Sequence, residues 1–126
     1  MKYLFYLFML MPILSFGQLN LKLGMGETYG SYCGIAGQHP PTRILLEDLI
    51  KENKLDILDE WIHSTNAVRQ VYAIEAFIRM DFVTDERKAR INELIDSEQE
   101  ISTCRGCVYS NKTVGEIISK LLEEQS

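Results

Sequence analysis

Apolar residues recur at the spacing of amphipathic helices from residue 42 onward, except over residues 101–111, and this pattern limits the possible folds more than any other feature. Positions three or four residues apart share one face of a helix, so each stripe predicts a helix that buries one side. The stripes are Ile44, Leu45, Leu49 and Ile50; Leu55, Leu58, Trp61 and Ile62; Val68, Val71, Tyr72, Ala76, Phe77 and Met80; Ala89, Ile91, Leu94 and Ile95; and Ile117, Ile118, Leu121 and Leu122. We therefore predict an all-α domain of about five short helices.

Residues that favour helix ends mark the boundaries of these helices. Thr42 is a candidate N-cap of the first helix, which is expected to end near Asn53. The other start signals are Ser64 or Asn66 for the third helix, Thr84 or Asp85 for the fourth, and the T-x-x-E capping box of Thr113 and Glu116 for the last. The stretch 101–111 shows no helical periodicity, and we expect it to be irregular.

The first 17 residues have the composition of a secretory signal peptide. Lys2 supplies a positive end, residues 3–14 are almost unbroken apolar sequence, and Ser15-Phe16-Gly17 places small residues before a cleavage site. The apolar run is shorter than the roughly 20 residues that a membrane-spanning helix needs. We expect cleavage after Gly17 and a periplasmic or secreted protein that has no membrane partner once the signal is removed.

Residues 18–41 differ in composition from the helical region that follows. They hold five of the eight glycines of the chain together with Pro40 and Pro41, and they show no helical periodicity. We expect a Gly-rich, extended N-terminal arm. The predicted organisation is therefore a signal peptide at 1–17, the arm at 18–41 and a helical domain at 42–126.

The chain is acidic, with 13 Lys and Arg against 18 Asp and Glu and a formal net charge of −5. Binding to the phosphate backbone of a nucleic acid needs clustered cations, so we expect no nucleic-acid partner. Removing 17 residues from 126 leaves 109. A chain of that size has room for one domain and little room for a large active site.

The segment 64–77, which reads STNAVRQVYAIEAF, follows a polar turn with Val-Arg and then with small and large apolar residues. This pattern resembles a HEAT-type repeat, with residues 55–62 as the partner helix. The resemblance implies a short α-solenoid in which Val68, Trp61 and Phe77 fill the layer between helices. It also implies that Arg69 packs along a neighbouring turn and pairs with an acid. Helical repeats of this kind present extended surfaces to other proteins.

Three cysteines stand in two short motifs, Cys33 in CGIAG and Cys104 with Cys107 in CRGC. With these motifs the chain is similar to small exported bacterial proteins, a resemblance that implies no activity. Outside the cytosol, Cys33 can form a structural disulfide with Cys104 or Cys107. Closing a loop of about 72 residues stabilises a fold by roughly 4.4 kcal/mol through chain entropy, against about 1.9 kcal/mol for a four-residue C-x-x-C loop. Stability therefore favours the long bridge.

Two other interpretations of the cysteines stay open. In the first, Cys104 is a nucleophilic thiolate and Cys107 its resolving partner, as in thiol-disulfide redox proteins, although the strand-helix framework typical of such sites is not predicted here. In the second, Cys33, Cys104 and Cys107 bind zinc together with His39 or His63. One C-x-x-C is only half of the usual zinc signature.

No set of residues converges on a catalytic pattern. His39 precedes two prolines and His63 ends a helix, where a cation suits the helix dipole. The sequence therefore favours an exported, non-catalytic helical module that is stabilised by a disulfide, needs no cofactor and binds another protein. A redox protein or a small zinc-stabilised domain are the alternatives.

Overall fold

Helices dominate the part of the chain that the computed structural model describes, residues 27–34 and 36–125. In chain order the elements are α1 (Pro41–Lys51), α2 (Leu55–His63), α3 (Ala67–Met80), α4 (Asp85–Leu94), β1 (Glu100–Arg105), β2 (Val108–Thr113) and α5 (Val114–Gln125). The predicted signal peptide at 1–17 and the first part of the arm lie outside the described residues. Within the described ranges, no helix combines the length and the apolar character needed to cross a membrane.

The five predicted helices are confirmed, and most of them begin at the predicted residues. The Asn66 side chain accepts a hydrogen bond from the backbone N–H of Arg69, and the Thr84 hydroxyl accepts one from Arg87. The capping box forms in both directions: the Thr113 hydroxyl accepts from the Glu116 N–H at 3.1 Å and the Glu116 carboxylate accepts from the Thr113 N–H at 3.3 Å. Thr42 is not a cap, because α1 begins one residue earlier at Pro41, and proline suits the first helical position.

The prediction of an all-α short solenoid is wrong, because the stretch 101–111 belongs to an antiparallel hairpin instead of an irregular segment. The hairpin pairs six residues of β1 with six of β2, from Glu100 opposite Thr113 to Arg105 opposite Val108. Gly106 takes a φ of +61°, which suits the first central position of a two-residue hairpin turn. The domain is therefore mixed, with five helices and a two-stranded sheet in the described residues.

Helix α3 lies at the centre of the core. Every residue from Ala67 to Phe77 except Arg69 is buried, so this helix is covered on all sides, unlike a surface helix with one apolar stripe. The core residues from the other elements are Leu46, Leu49, Leu58, Trp61, Ile62, Ile91, Leu94, Ile101, Val114, Ile117 and Ile118. Val68, Trp61 and Phe77, which the HEAT resemblance places between helices, are all buried in this core.

An ion pair joins α2 to α4 beside this core. Arg87 donates to both carboxylate oxygens of Asp59, at 2.8 and 2.9 Å, and its guanidinium lies 4.0 Å from the centre of the Phe77 ring. The hydrogen bonds from Arg87, together with its charge, outweigh partial burial and hold the pKa of Asp59 below its usual range. Because this carboxylate is more acidic in the folded chain than in the unfolded one, it contributes stability above a pH of about 4 and loses it as the pH falls further.

Replacing Asp59 with asparagine is expected to lower the free energy of unfolding at pH 7 by about 0.2–1 kcal/mol, a small loss because the pair is partly open to solvent. The difference from the wild type should shrink at pH 2.5, because the stability that the Asp59 carboxylate contributes is lost progressively as the pH falls below about 4. Urea unfolding at the two pH values measures this. Glu60→Gln on the exposed side of α2 is the control and should show little difference at either pH. An equal loss from Asp59→Asn at both pH values would contradict the assignment.

Candidate functional site

The arm runs alongside the hairpin. Tyr29 forms a parallel bridge with Thr103, and Cys33 forms another with Gly106. The backbone hydrogen bonds that hold it are Tyr29 N–H to Ser102 O at 2.9 Å, Cys104 N–H to Tyr29 O at 3.1 Å, Gly106 N–H to Tyr32 O at 3.0 Å and Gly34 N–H to Gly106 O at 2.8 Å. The arm therefore lies along the edge of β1 opposite to β2.

A disulfide fastens the arm to β1. Cys33 is bonded to Cys104, across 71 positions of sequence and with 5.4 Å between the two Cα atoms. The preference for a long structural bridge is therefore confirmed. The sequence left open whether Cys104 or Cys107 is the partner of Cys33, and the partner is Cys104. Cys107 is free and exposed in the turn between the strands, so the C-x-x-C pair is not closed on itself.

The residues of the redox and zinc alternatives are only partly brought together. Cys104, the proposed nucleophile, is already bonded to Cys33 instead of Cys107. His39 is exposed beside the carbonyl of Ser31, and His63 is exposed at the end of α2. Among the described residues no group of three or more His, Cys, Asp or Glu side chains is placed to hold a metal ion.

A buried charge pair lies where the arm meets α1 and α3. Both nitrogens at the end of Arg43 donate to the carboxylate of Glu75, and the bond from Nη2 to Oε1 measures 2.9 Å. Tyr29 donates its hydroxyl to the same carboxylate at 2.6 Å, and the Nε of Arg43 donates to the Gly30 carbonyl at 3.0 Å. The side chains of Arg43 and Glu75 are only 7% and 11% exposed, so the pair is shielded from water.

Two tyrosines complete this network and bind the arm backbone. Tyr72, fully buried on α3, accepts a hydrogen bond from the Gly30 N–H at 3.0 Å and donates to the Thr28 carbonyl at 2.7 Å. Burial, followed by the nearby Glu75 carboxylate, raises the pKa of Tyr29 far above its usual range. The Tyr29 phenol therefore stays protonated and remains a donor to Glu75.

A second ion pair holds the beginning of the described arm. Arg69 donates to Glu27 at 3.0 Å and lies 5.1 Å from the centre of the Trp61 ring, while the Asn66 amide also donates to Glu27. Arg69 thus has an acidic partner, as the HEAT resemblance implies, but that acid comes from the arm instead of a neighbouring repeat. The polar residues that anchor the arm, Glu27, Tyr29, Arg43, Tyr72 and Glu75, were not predicted as a site. The one signal of this site in the sequence was Glu75, an acidic residue on a stripe of otherwise buried positions.

Gly30 allows the arm to approach the disulfide closely. A Cβ atom at this position would lie 2.5 Å from the Cys104 sulfur and 2.6 Å from the Cys104 carbonyl oxygen. We expect Gly30→Ala to lower the free energy of unfolding by about 1–3 kcal/mol, since the arm must shift to relieve the overlap. Urea unfolding measures it, with Ser31→Ala at the exposed neighbouring position as the control. Equal stability of the two variants would contradict this packing.

A groove with a volume of about 850 Å³ is lined by the arm, the hairpin and α5. Its polar wall includes Tyr29, Arg43 and Glu75, and its apolar wall includes Ile117 and Leu121. Both Glu75 oxygens already accept hydrogen bonds within the network. This carboxylate therefore positions the arm and is poorly placed to act as an acid or base toward a ligand.

Among the residues that the structure describes, the outer edge of β2 pairs with no other strand. Ser102 and Cys104 direct backbone groups toward the arm, as the bonds to Tyr29 show. Because backbone groups alternate in direction along a strand, residues 101, 103 and 105 must face β2, and their partners 112, 110 and 108 must face β1. The N–H and C=O groups of Tyr109 and Asn111 therefore point away from the sheet.

This free edge is short and bordered by exposed apolar side chains. The Thr113 N–H is occupied by Glu116, which limits the edge to Tyr109 and Asn111. Within residues 27–34 and 36–125, β1 is the one strand paired with β2. Val108 is 67% exposed and Tyr109 is 61% exposed. Large apolar side chains beside an open strand edge are typical of an interaction surface.

Comparisons with protein-family models, with curated proteins and with solved structures find no match to this chain. The HEAT resemblance of residues 64–77 therefore stays a prediction that depends on those residues alone.

Proposed function

We propose that this chain is an exported, non-catalytic interaction module that binds an extended segment of another protein by strand addition along β2. The observation that carries the proposal is the open edge at Tyr109 and Asn111. A partner strand placed there would bond to the backbone, while Val108 and Tyr109 would contact its side chains on alternate faces.

The attachment of the hairpin supports this function. A lone two-stranded hairpin is only marginally stable in water. Here β1 is held by the arm through the Cys33–Cys104 disulfide and by burial of Ile101 in the core. A binding edge that is already ordered loses less conformational entropy when a partner binds, which favours affinity.

The chemistry of the groove also favours binding over catalysis. Its buried ionisable groups, Arg43, Glu75 and Tyr29, bond to one another and to the arm backbone. The acidic charge of the chain is consistent with a protein partner and unfavourable for a nucleic acid.

Site-specific photocrosslinking tests the proposal. A photoreactive amino acid at position 111, in cells that make and export the protein, is expected to give a discrete covalent adduct with another protein. The same amino acid at position 54, in the exposed turn between α1 and α2, is the control and should give none.

Two variants of Tyr109 show whether such an adduct depends on the strand edge. Tyr109→Pro removes one outward N–H and is tolerated at an edge, so it should abolish the adduct at position 111. Tyr109→Phe keeps the N–H and the ring and should retain it. An adduct that survives Tyr109→Pro, or that forms equally from position 54, would contradict strand addition.

A further inference from the structure

The three cysteines of the chain lie around the tip of the hairpin. Cys33 is bonded to Cys104, and its backbone also forms a parallel bridge with Gly106, the residue before Cys107. The arm holds the turn at this point, because Gly106 accepts a hydrogen bond from Gly34 and donates one to Tyr32. Cys107, which carries the free thiol, therefore directly follows Gly106, the residue whose backbone pairs with Cys33.

We propose that these cysteines form a thiol-disulfide exchange site in which Cys107 displaces Cys104 from Cys33. The Cys107 thiolate attacks the Cys33 sulfur, the Cys33–Cys107 bond forms and the Cys33–Cys104 bond breaks. Cys104 leaves as a thiolate and takes up the proton that Cys107 lost. One disulfide replaces another, so the step needs neither an oxidant nor a reductant.

Loop lengths favour attack on Cys33 over attack on Cys104. Cys107 lies three positions beyond Cys104, so a Cys33–Cys107 bond closes almost the same length of chain as the present bond. The entropy that the disulfide removes from the unfolded chain therefore hardly changes. Attack on Cys104 would close a four-residue loop and leave the arm without a covalent bond. The two long bridges are the pair that can interconvert at similar free energy.

The exchange would change which thiol is accessible while the arm stays attached. Cys107 is exposed, whereas Cys104 is 8% exposed and lies against Gly30. With the Cys33–Cys104 disulfide, the free thiol is that of Cys107, which is exposed at the turn. With the Cys33–Cys107 disulfide, the free thiol is that of Cys104, which is buried beneath the arm. The site would therefore protect its own unpaired cysteine from oxidants and external thiols in the second of these pairings. This inference does not depend on the proposed binding function.

Disulfide mapping of the oxidised protein tests the exchange. Samples kept at pH 5 and pH 8.5 without added thiol are quenched with acid, unfolded, alkylated with a maleimide and digested. Because the thiolate is the attacking species, the rate should rise by up to about tenfold per pH unit below the thiol pKa. We expect alkylated Cys104 to accumulate at least tenfold faster at pH 8.5. Alkylation confined to Cys107 in both samples would overturn the proposal.

Two variants make the test independent of the equilibrium between the pairings. Cys104→Ser, refolded with oxidised glutathione, should form a monomeric Cys33–Cys107 disulfide. If that variant fails to fold, the wild-type mapping still decides the question. Cys107→Ser is the control, and it should keep Cys33–Cys104 and show no free thiol at either pH. A folded Cys104→Ser protein with two free thiols, or with intermolecular disulfides alone, would also overturn the proposal.

Discussion

Cys33→Ala is expected to lower the free energy of unfolding by about 4 kcal/mol under non-reducing conditions. The Cys33–Cys104 bond spans 71 positions, and a cross-link over that length removes a large part of the entropy of the unfolded chain. Small domains have a total stability of about 5–15 kcal/mol, so this loss removes a large share of it. Urea unfolding of the purified protein, followed by circular dichroism, measures the change.

Cys107→Ser is the matched control for this prediction. Cys107 is exposed and unpaired, so its replacement is expected to change the stability by less than about 0.5 kcal/mol. Adding a reductant should lower the stability of the wild type and of Cys107→Ser to that of Cys33→Ala. A wild-type protein that is insensitive to reductant would show that the disulfide contributes little.

The helices could be predicted from the sequence because their signals are local. Apolar spacing along α2 or α3 and the capping side chains of Asn66, Thr84 and Thr113 act within a few residues of one another. The start of α1 was misplaced by two residues, because Pro40 and not Thr42 is the N-cap and Pro41 is itself a good first helical residue.

The hairpin could not be predicted in the same way. Every residue of β2 is exposed except the last, which is partly buried, so the strand has no alternation of apolar and polar residues to reveal it. The hairpin is held in place by contacts between residues that are distant in the sequence, above all the contacts of β1 with the arm. Gly106 followed by Cys107 is compatible with a two-residue turn, but short turn signals without strand signals are weak.

The anchoring of the arm also depends on distant contacts. The sequence narrowed the partner of Cys33 to Cys104 or Cys107, since loop entropy favours a long bridge and barely distinguishes the two. The choice of Cys104 follows from the parallel course of the arm beside β1. Arg43 and Glu75 are separated by 32 positions. Their hydrogen bonds could be predicted only if the packing of α1 on α3 were already known.

Glu75→Ala is expected to lower the free energy of unfolding by about 3–5 kcal/mol, because it leaves Arg43 buried without its main partner. Tyr29 would lose the acceptor of its hydroxyl at the same time. Backbone amides of the arm should exchange with deuterium faster, beginning with Gly30, whose N–H bonds to Tyr72 within the same network. Chemical unfolding and hydrogen exchange measure the two effects.

Glu93→Ala is the matched control, because Glu93 also pairs with an arginine but is 64% exposed. Its loss should cost less than about 1 kcal/mol, as for other surface ion pairs, and leave exchange in the arm unchanged. Glu75→Gln separates charge from shape, since it keeps an acceptor for Tyr29 but removes the charge beside Arg43. We expect its stability to lie between those of the wild type and Glu75→Ala. Equal losses from Glu75→Ala and Glu93→Ala would show that the buried pair does not hold the arm against α1 and α3.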